Sequence, residues 1–549
     1  MTLPDSPIAG LTRALAARGF VHLGRGKDGW LTFTGSLTTE GAAHPILLAV
    51  HPEGRELPLV VLENVPDKLR PVAPHLGGNG GLCYAAVGSV VLDVFDIAGQ
   101  TLACIDRAAQ VLSSLLRGEM VADLEEEFFA YWRGDACFLD LRQSSNDNLE
   151  CVIAKQGDLG RLAVFVTNDR VRALEKVKAL GAQLDDSIQA AVRRIKTEVK
   201  PRPLLGNWPP RTVRDVLHWQ GVLDAPCRRK LDEHITAVFK SGQHWMLCVV
   251  ESPKMPYAFW VDFTEFLEVQ GIRRVAQARE LAYRARVMPV HCMRIDDAYI
   301  AQRNVPGQAT LAKRRIAVLG CGTIGGFLAE LMVKAGAGSD GGELALVDND
   351  ILLPQNIGRH RLGFHGILKN KATVLADEMR RGMPGTNIRA LPVDAMQASL
   401  AGFDMVVNAT GEEALGHLLT AKLVGPQFVP TLSVWVEGPG TAVRALLRDR
   451  PSAACTRCLS SVERRPLYGV VDGEMPMQLA GQGCEGLYVP FPASVSVQAA
   501  CLAVDMLTAW RAGGNASPRL RTRVLDEHFR KGALDQDPPA LTGCPACGT

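Results

Sequence analysis

At 549 residues the chain is long enough for about three domains, each with a core of its own. Its 60 basic residues nearly balance 58 acidic ones, and a net charge of +2 excludes a protein that holds nucleic acid or another polyanion by bulk charge. Apolar content is 47 %, no apolar run approaches the length of a membrane span, and Met1-Thr2-Leu3-Pro4-Asp5 has neither the basic nor the apolar part of a leader, so a soluble cytoplasmic protein with no membrane partner is expected. Most of the 14 cysteines stand singly in apolar surroundings (Cys104, Cys151, Cys248, Cys501), which reads as buried intracellular thiols and not as a disulfide framework.

Residues 11–17 have helical spacing. Short β-like runs follow at 30–33, 46–50 and 57–62, separated by Gly, Pro and Asn turns. Next comes an irregular passage, Ala73-Pro74-His75-Leu76-Gly77-Gly78-Asn79-Gly80-Gly81-Leu82-Cys83-Tyr84. Residues 102–116 are helical by pattern, and 124–132 read as a further helix. This order resembles the ubiquitin-conjugating fold, whose active site reads H-P-N-x-x-x-x-G-x-I/L-C. With cysteine set on cysteine, Pro74 matches the proline, Gly80 the glycine, Leu82 the apolar residue and Cys83 the nucleophile. The resemblance implies a thioester on Cys83. His75 stands where that family has its Asn, so it is the candidate donor to the oxyanion formed when an amine attacks. The competing reading of Cys83 is a buried thiol beside a loop.

The middle of the chain says less. A strand is expected at 162–166, helices at 171–182 and 190–199, and a connection through the proline-rich 201–210. Strands are expected at 244–251 and 258–262, with Trp245 and Trp260 in the core, and an Arg-rich helix at 273–286. The basic run Arg193, Arg194, Lys196 and Lys200 reads as a solvated face. An α+β spacer domain is expected here.

Residues 316–319 are small and branched apolar. They lead into Gly320-Cys321-Gly322-Thr323-Ile324-Gly325 and then an apolar-periodic segment, 327–335: strand, glycine turn, helix. A second buried strand, 344–347, ends on Asp348-Asn349-Asp350. Gly320, Gly322, Thr323 and Gly325 let backbone approach a phosphate at a helix N-terminus, and Asp348 or Asp350 can take ribose hydroxyls. Asn356, Arg359 and Lys371 follow. A dehydrogenase has no need of them, whereas a triphosphate site does, because cations must neutralise charge as pyrophosphate leaves. The pattern resembles the D-x-D…N-x-x-R-[QH]…K signature of the ubiquitin-activating superfamily, which includes ThiF and MoeB, and Gly307-Gln308 agrees with its lead-in. That resemblance implies a doubly wound α/β adenylation domain using ATP and Mg²⁺. Further strands are expected at 388–393 and 403–407. Sulfur-carrier activators have an Asp at the position of Gly411, after the second of these. Glu412 is the carboxylate expected to reach Mg²⁺ instead.

Cys455-Thr456-Arg457-Cys458 and Cys544-Pro545-Ala546-Cys547 are two C-x₂-C pairs. Together they read as a closed structural Zn²⁺ site, against the rival reading of redox pairs. Between them lies Cys484, shortly before a helix expected from 494 to 510. Activating enzymes with the catalytic cysteine in the adenylation domain place their thioester cysteine there. A buried structural thiol is the alternative.

The order of parts resembles the bacterial E2–E1 fusion proteins of CBASS antiphage systems. The expected layout is a ubiquitin-conjugating-like α+β domain at 1–150, an α+β spacer domain at 151–300 and a ThiF/MoeB-type adenylation domain at 301–549. The resemblance implies that ATP·Mg²⁺ adenylates the C-terminal carboxylate of a partner protein, that Cys484 takes the acyl group as a thioester, and that it moves to Cys83 and then to a target lysine. The implied partner is a cGAS-like nucleotidyltransferase (CD-NTase) or another ubiquitin-like protein, and the implied assembly is a homodimer. A ThiF/MoeB-type sulfur-carrier adenylyltransferase, a non-catalytic adaptor scaffold and an NAD-dependent oxidoreductase are the rival readings.

Overall fold

A computed structural model describes residues 7–86, 88–142, 148–156, 161–205, 208–253, 255–267, 275–425, 428–461, 463, 465–470, 479–480, 488–513, 516–529 and 535–548. The chain divides into two compact units. One contains residues 1–137 and 187–292, the other 138–186 and 293–549.

In the first unit, four antiparallel strands follow one another in sequence order: Val21–Arg25, Leu31–Thr39, Ala42–Val50 and Leu59–Leu62. Alternation sends Leu31, Phe33 and Leu37, and Ile46, Leu48 and Val50, to one face, and all are buried. Onto that face pack Leu11 and Leu15 of helix Pro7–Ala17 and Ile105, Ala108, Leu112 and Leu115 of helix Ile97–Arg117. The longer helix is capped by Asp96, which accepts from the Gly99 N–H at 2.8 Å, and closes on Gly118 in the left-handed region. Helix, meander, glycine-rich passage and helix are the order expected from the sequence.

The expected helix at 124–132 is shorter, Phe128–Tyr131 after a 3₁₀ turn. Phe128 and Trp132 leave the meander core and stack among Trp208, Trp219 and Tyr257. Trp132 donates its indole N–H to Ala258 O at 2.8 Å. Around them helices Val213–Leu223, Ala225–Lys240 and Val275–Arg284 cover strands Arg286–Arg294, Tyr257–Asp262, Trp245–Glu251 and Ala190–Lys196, neighbours in that order.

Residues 190–196 correct the sequence reading. They form a strand paired in parallel with Trp245–Glu251, not a helix. Val192 and Ile195, three apart, mimic helical spacing. Backbone pairing with a largely buried neighbour outweighs the strong intrinsic helical preference of Ala and Arg, and Arg194 pairs with Glu251 at 2.8 Å.

In the second unit, Glu150–Gln156 and Arg161–Thr167 pair antiparallel beside helix Arg170–Ala179. That helix buries two cations. Arg172 and Lys176 reach Asp140 at 2.7 and 2.8 Å, and Lys176 reaches Asp297 at 3.1 Å. Each buried charge is compensated, which low-dielectric surroundings require.

The main body is a seven-stranded sheet in the order Ile388–Leu391, Glu343–Val347, Arg315–Leu319, Met405–Asn408, Thr431–Glu437, Ala442–Arg448, Leu520–Val524. The first five pair in parallel, and each of the last two pairs antiparallel with the strand before it in that order. From Arg315–Leu319 the chain winds first to one side and then, with Met405–Asn408, to the other. The crevice at the carboxyl ends of these two strands is the switch point where doubly wound sheets bind ligands. Helix Ala493–Arg511 is long and apolar enough to cross a membrane by length and composition, unlike any run expected from the sequence. Its buried residues, among them Val495, Ala499, Leu502, Ala503 and Met506, lie in the core cluster of the sheet and of helix Thr323–Lys334.

Candidate functional site

The glycine-rich passage presents Cys83. Gly77 N–H donates to Gly81 O and Gly80 N–H to Gly77 O, at 2.8 and 2.9 Å, closing a tight hairpin. Leu82 N–H then bonds Val60 O and Leu62 N–H bonds Gly80 O, which lays the hairpin on strand Leu59–Leu62. Gly80 has φ +84°, and a Cβ there would come within 2.5 Å of Leu62 O, so only glycine permits the approach. The result is an exposed Cys83 whose N–H donates to His75 O at 2.7 Å.

His75 is itself held in the left-handed region, at φ +58°. Its Nδ1 lies 2.6 Å from Glu127 and its Nε2 3.0 Å from Asp123. Both ring nitrogens therefore face carboxylate oxygens. The ring is thus committed to an acid pair, and the Glu127 carboxylate also accepts the His75 N–H at 2.7 Å. Partial burial, and then the Glu127 charge, push the Cys83 thiol above its ordinary value. Asp123 and Glu127 escaped the sequence reading. Only their place on the turn following the long helix could have pointed to them.

At the switch point, strand Arg315–Leu319 runs into Gly320 at φ +86°, and Gly322 caps helix Thr323–Lys334 with no side chain across its first N–H groups. A Cβ at Gly320 would lie 2.9 Å from Thr410 N and Cα, and one at Gly325 would lie 1.8 Å from Gly320 O. At Gly322 a Cβ meets nothing within 4 Å. The first two glycines are therefore demanded by the protein, and the third faces open space. Gly325→Ala is expected to cost the full chain about 3 kcal/mol through overpacking. Gly322→Ala should keep the melting temperature and lose ATP affinity, as read by thermal melts beside ATP titrations.

Asp348 closes the turn. One carboxylate oxygen accepts the Cys321 N–H at 2.7 Å and the other the Asp350 N–H at 2.8 Å. Asp350 is open to solvent and pairs with Lys371 at 2.9 Å, while the Lys371 stem is largely buried. Asn370, absent from the sequence reading, caps helix Lys371–Gly382 and donates to Asp348 O and Asp350 O at 2.8 and 3.1 Å. Asn356 caps its own turn by accepting the Leu353 N–H at 3.0 Å, and its carbonyl accepts from Arg359 and His360. Glu412 is exposed and precedes helix Glu413–Lys422 without capping it. It stands two residues beyond Thr410, whose backbone lies against Gly320. Gly411 has φ +73°, with nothing within 4 Å of an added Cβ.

His360 is the further residue the sequence reading left unassigned. Its Nε2 meets Cys321 O at 2.8 Å and its Nδ1 accepts the Leu362 N–H at 2.9 Å, which fixes a neutral ring with the proton on Nε2. Burial is the main cause that holds its pKa below the ordinary histidine value. The folded state thus binds fewer protons than the unfolded one as pH falls from about 6.5. His360 stability is fully present above that pH and is lost as pH drops through the lower folded value. Melting temperature is expected to fall with acidification across this window, and less steeply in His360→Asn.

Cys455, Cys458, Cys544 and Cys547 converge and are all buried. Neighbouring sulfurs are 3.6 to 3.8 Å apart, and all four lie within 4.8 Å of one another. A tetrahedron with metal–sulfur bonds of about 2.3 Å has edges of about 3.8 Å, so donor set and spacing fit zinc. Hydrogen bonding from Cys455, helped by the Leu541 N–H at 3.3 Å, holds Cys458 below its ordinary value, and Cys455 is correspondingly raised. Cys484 lies outside the described residues.

Residues 297–544 match the ThiF family, and residues 20–136 match the prokaryotic E2 family B. Over 544 residues the chain is 47 % identical to the ATP-dependent ubiquitin transferase-like protein Cap2 of Pseudomonas aeruginosa (strain BWHPSA011 / Pa011), covering 99 % of each. It is 24 % identical to the Cap2 protein of Escherichia coli (strain TW11681), over 90 % of this chain and 89 % of that one. Among solved structures, E. coli MccB with succinimide is similar at 16 % identity and TM-score 0.33, covering 46 % of this chain and 70 % of that chain.

Proposed function

The chain belongs to the Cap2 family of ATP-dependent ubiquitin transferase-like proteins, and from that premise we propose that it activates a partner protein's C-terminal carboxylate with ATP and carries it through two cysteines to an amine. The observation carrying this reading is an exposed Cys83, set on a glycine hairpin of an E2-type domain, in the same chain as a ThiF-type switch-point cradle.

The carboxylate attacks the α-phosphorus of ATP, the bond to the bridging oxygen breaks, and pyrophosphate leaves. Backbone N–H groups after Gly322 receive phosphate oxygen, and Arg359 and Lys371 offset the charge that builds on the leaving group. Asp350, exposed to solvent, is the better placed ribose acceptor, since both Asp348 oxygens already accept backbone N–H groups. Mg²⁺, which draws charge from the phosphates, would take Glu412, an exposed carboxylate that its own helix does not use. The four buried thiols would hold zinc. Cys484 sulfur displaces AMP, Cys83 takes the acyl group by exchange, and a lysine amine takes it last. The raised pKa of Cys83 suits a carrier, because a less acidic thiol is the poorer leaving group and keeps its acyl group longer.

The partner we assign is a cGAS-like nucleotidyltransferase in CBASS defence, with another ubiquitin-like protein as the second choice and a homodimer as the working assembly. The test is to incubate the full chain with ATP and such a nucleotidyltransferase. AMP release and a thiol-labile adduct should form, and both should vanish when the partner's last residue is removed. AMP release without adduct would instead indicate a sulfur-carrier type of adenylyltransferase, and no ATP turnover with intact partner would indicate a scaffold.

A further inference from the structure

Arg359, Arg361 and Lys371, three of the cations in the segment from the acid-tipped strand to the start of helix Lys371–Gly382, are held differently. Lys371 pairs with Asp350, and Arg361 pairs with Glu330 and Glu378. Among the described residues Arg359 forms no ion pair. Its guanidinium instead lies 5.1 Å from the ring centre of Tyr488 and 4.8 Å from that of Phe491, with the Val489 carbonyl at 3.5 Å. The neighbouring residues fix where this seat stands. His360 bonds Cys321 O, and an added Cβ at Gly326 would meet Arg361 Cβ at 3.3 Å. Residues 359–361 therefore run along the glycine turn and the first turn of its helix.

A ring face attracts a guanidinium through its quadrupole without cancelling its charge. A carboxylate in the same place would neutralise the arginine and compete with incoming phosphate. Two aromatic faces hold the long side chain still and leave its full charge available, which reduces the side-chain entropy lost when phosphate binds.

We propose that Tyr488 and Phe491 are positioning residues that hold Arg359 ready for the β- and γ-phosphates of ATP. This rests on the phosphate role assigned to Arg359 above. Phe491 is partly buried and Tyr488 is 45 % exposed, so ring removal at Tyr488 opens no core. The seat also lies shortly after Cys484 in sequence, so the aromatic pair ties the nucleotide side of the domain to the chain that carries the acyl-accepting thiol.

The test is equilibrium titration of the full chain with ATP and with AMP, using Tyr488→Ala, Phe491→Leu, the double variant, Arg359→Ala and the triple variant. The aromatic double variant is expected to weaken ATP about five- to tenfold, as loss of a partly desolvated cation–π seat implies, and to leave AMP unchanged. It should add nothing on top of Arg359→Ala, and Tyr488→Phe should restore binding. Additive losses, equal weakening of AMP, unchanged ATP affinity or tighter ATP binding in the aromatic variants would each overturn the proposal. If Arg359→Ala alone leaves ATP affinity unchanged, the phosphate role of Arg359 fails first, and the positioning role fails with it.

Discussion

Cys83→Ala is expected to end ligation in the full chain while the partner's acyl group remains stranded as a thioester on Cys484. Ligation should fall about a thousandfold or more, as when the nucleophile of a covalent mechanism is removed. Little else should change. Cys83 is exposed, its carrying hairpin is held by backbone bonds from Gly77 to Leu82, and its sulfur makes a long contact, 3.8 Å to Ala85 O. Cys484→Ala should do the reverse: ATP–pyrophosphate exchange persists with partner present, and neither cysteine is loaded. Non-reducing gels of both variants, run with that exchange assay, read the two outcomes. A thioester on Cys83 in Cys484→Ala would sink the two-cysteine relay. Loss of exchange in Cys83→Ala would mean that the conjugating-type domain is needed for adenylation itself.

The second large effect is expected from the four-thiol group. Cys458→Ser leaves three thiols around the site. With zinc bound, the group joins the turn after strand Ala442–Arg448 to the end of the chain, closing a long loop. Metal–thiolate bonding stabilises isolated finger peptides by about 10–16 kcal/mol, and a share of several kcal/mol is expected to be lost here. Full-length protein should carry one zinc per chain by elemental analysis. The variant should lose it, melt lower and yield its C-terminal residues to protease. Metal-free protein with an unchanged melt in Cys458→Ser would reduce the group to four packed thiols. The melt should be run above pH 6.5, so that protonation of His360 does not overlap the metal effect.

Much of both sites was legible because their chemistry depends on backbone shape and fixed short spacings. Gly80, Gly320 and Gly325 stand where a Cβ would strike backbone, so the glycine pattern is a direct imprint of the fold. The two C-x₂-C pairs likewise declared a four-sulfur group that the structure brings together. Asp350 and Lys371, read separately as a ribose contact and a phosphate contact, pair with each other in the structure. The strand at 190–196 was misread because three-residue spacing of Val192 and Ile195 is shared by helices and by a strand buried unevenly at a sheet edge. Helix Ala493–Arg511 similarly matches a membrane span in composition, because a helix packed on both a sheet and a neighbouring helix needs apolar residues on most of its surface.

By itself, the sequence determined the conjugating-type order of the first part, the doubly wound order of the last, and the glycines, acids and thiols that mark their sites. Those features are local, and a few residues of spacing define them. The tertiary structure alone decided what each side chain does once in place. It gave the His75 ring to Asp123 and Glu127, one oxygen of Asp348 to the Cys321 N–H, His360 to the carbonyl of Cys321, and Arg359 to two rings about 130 residues further along the chain. Such partners are set by packing between distant segments, and the spacing of residues within one segment carries no signal for them.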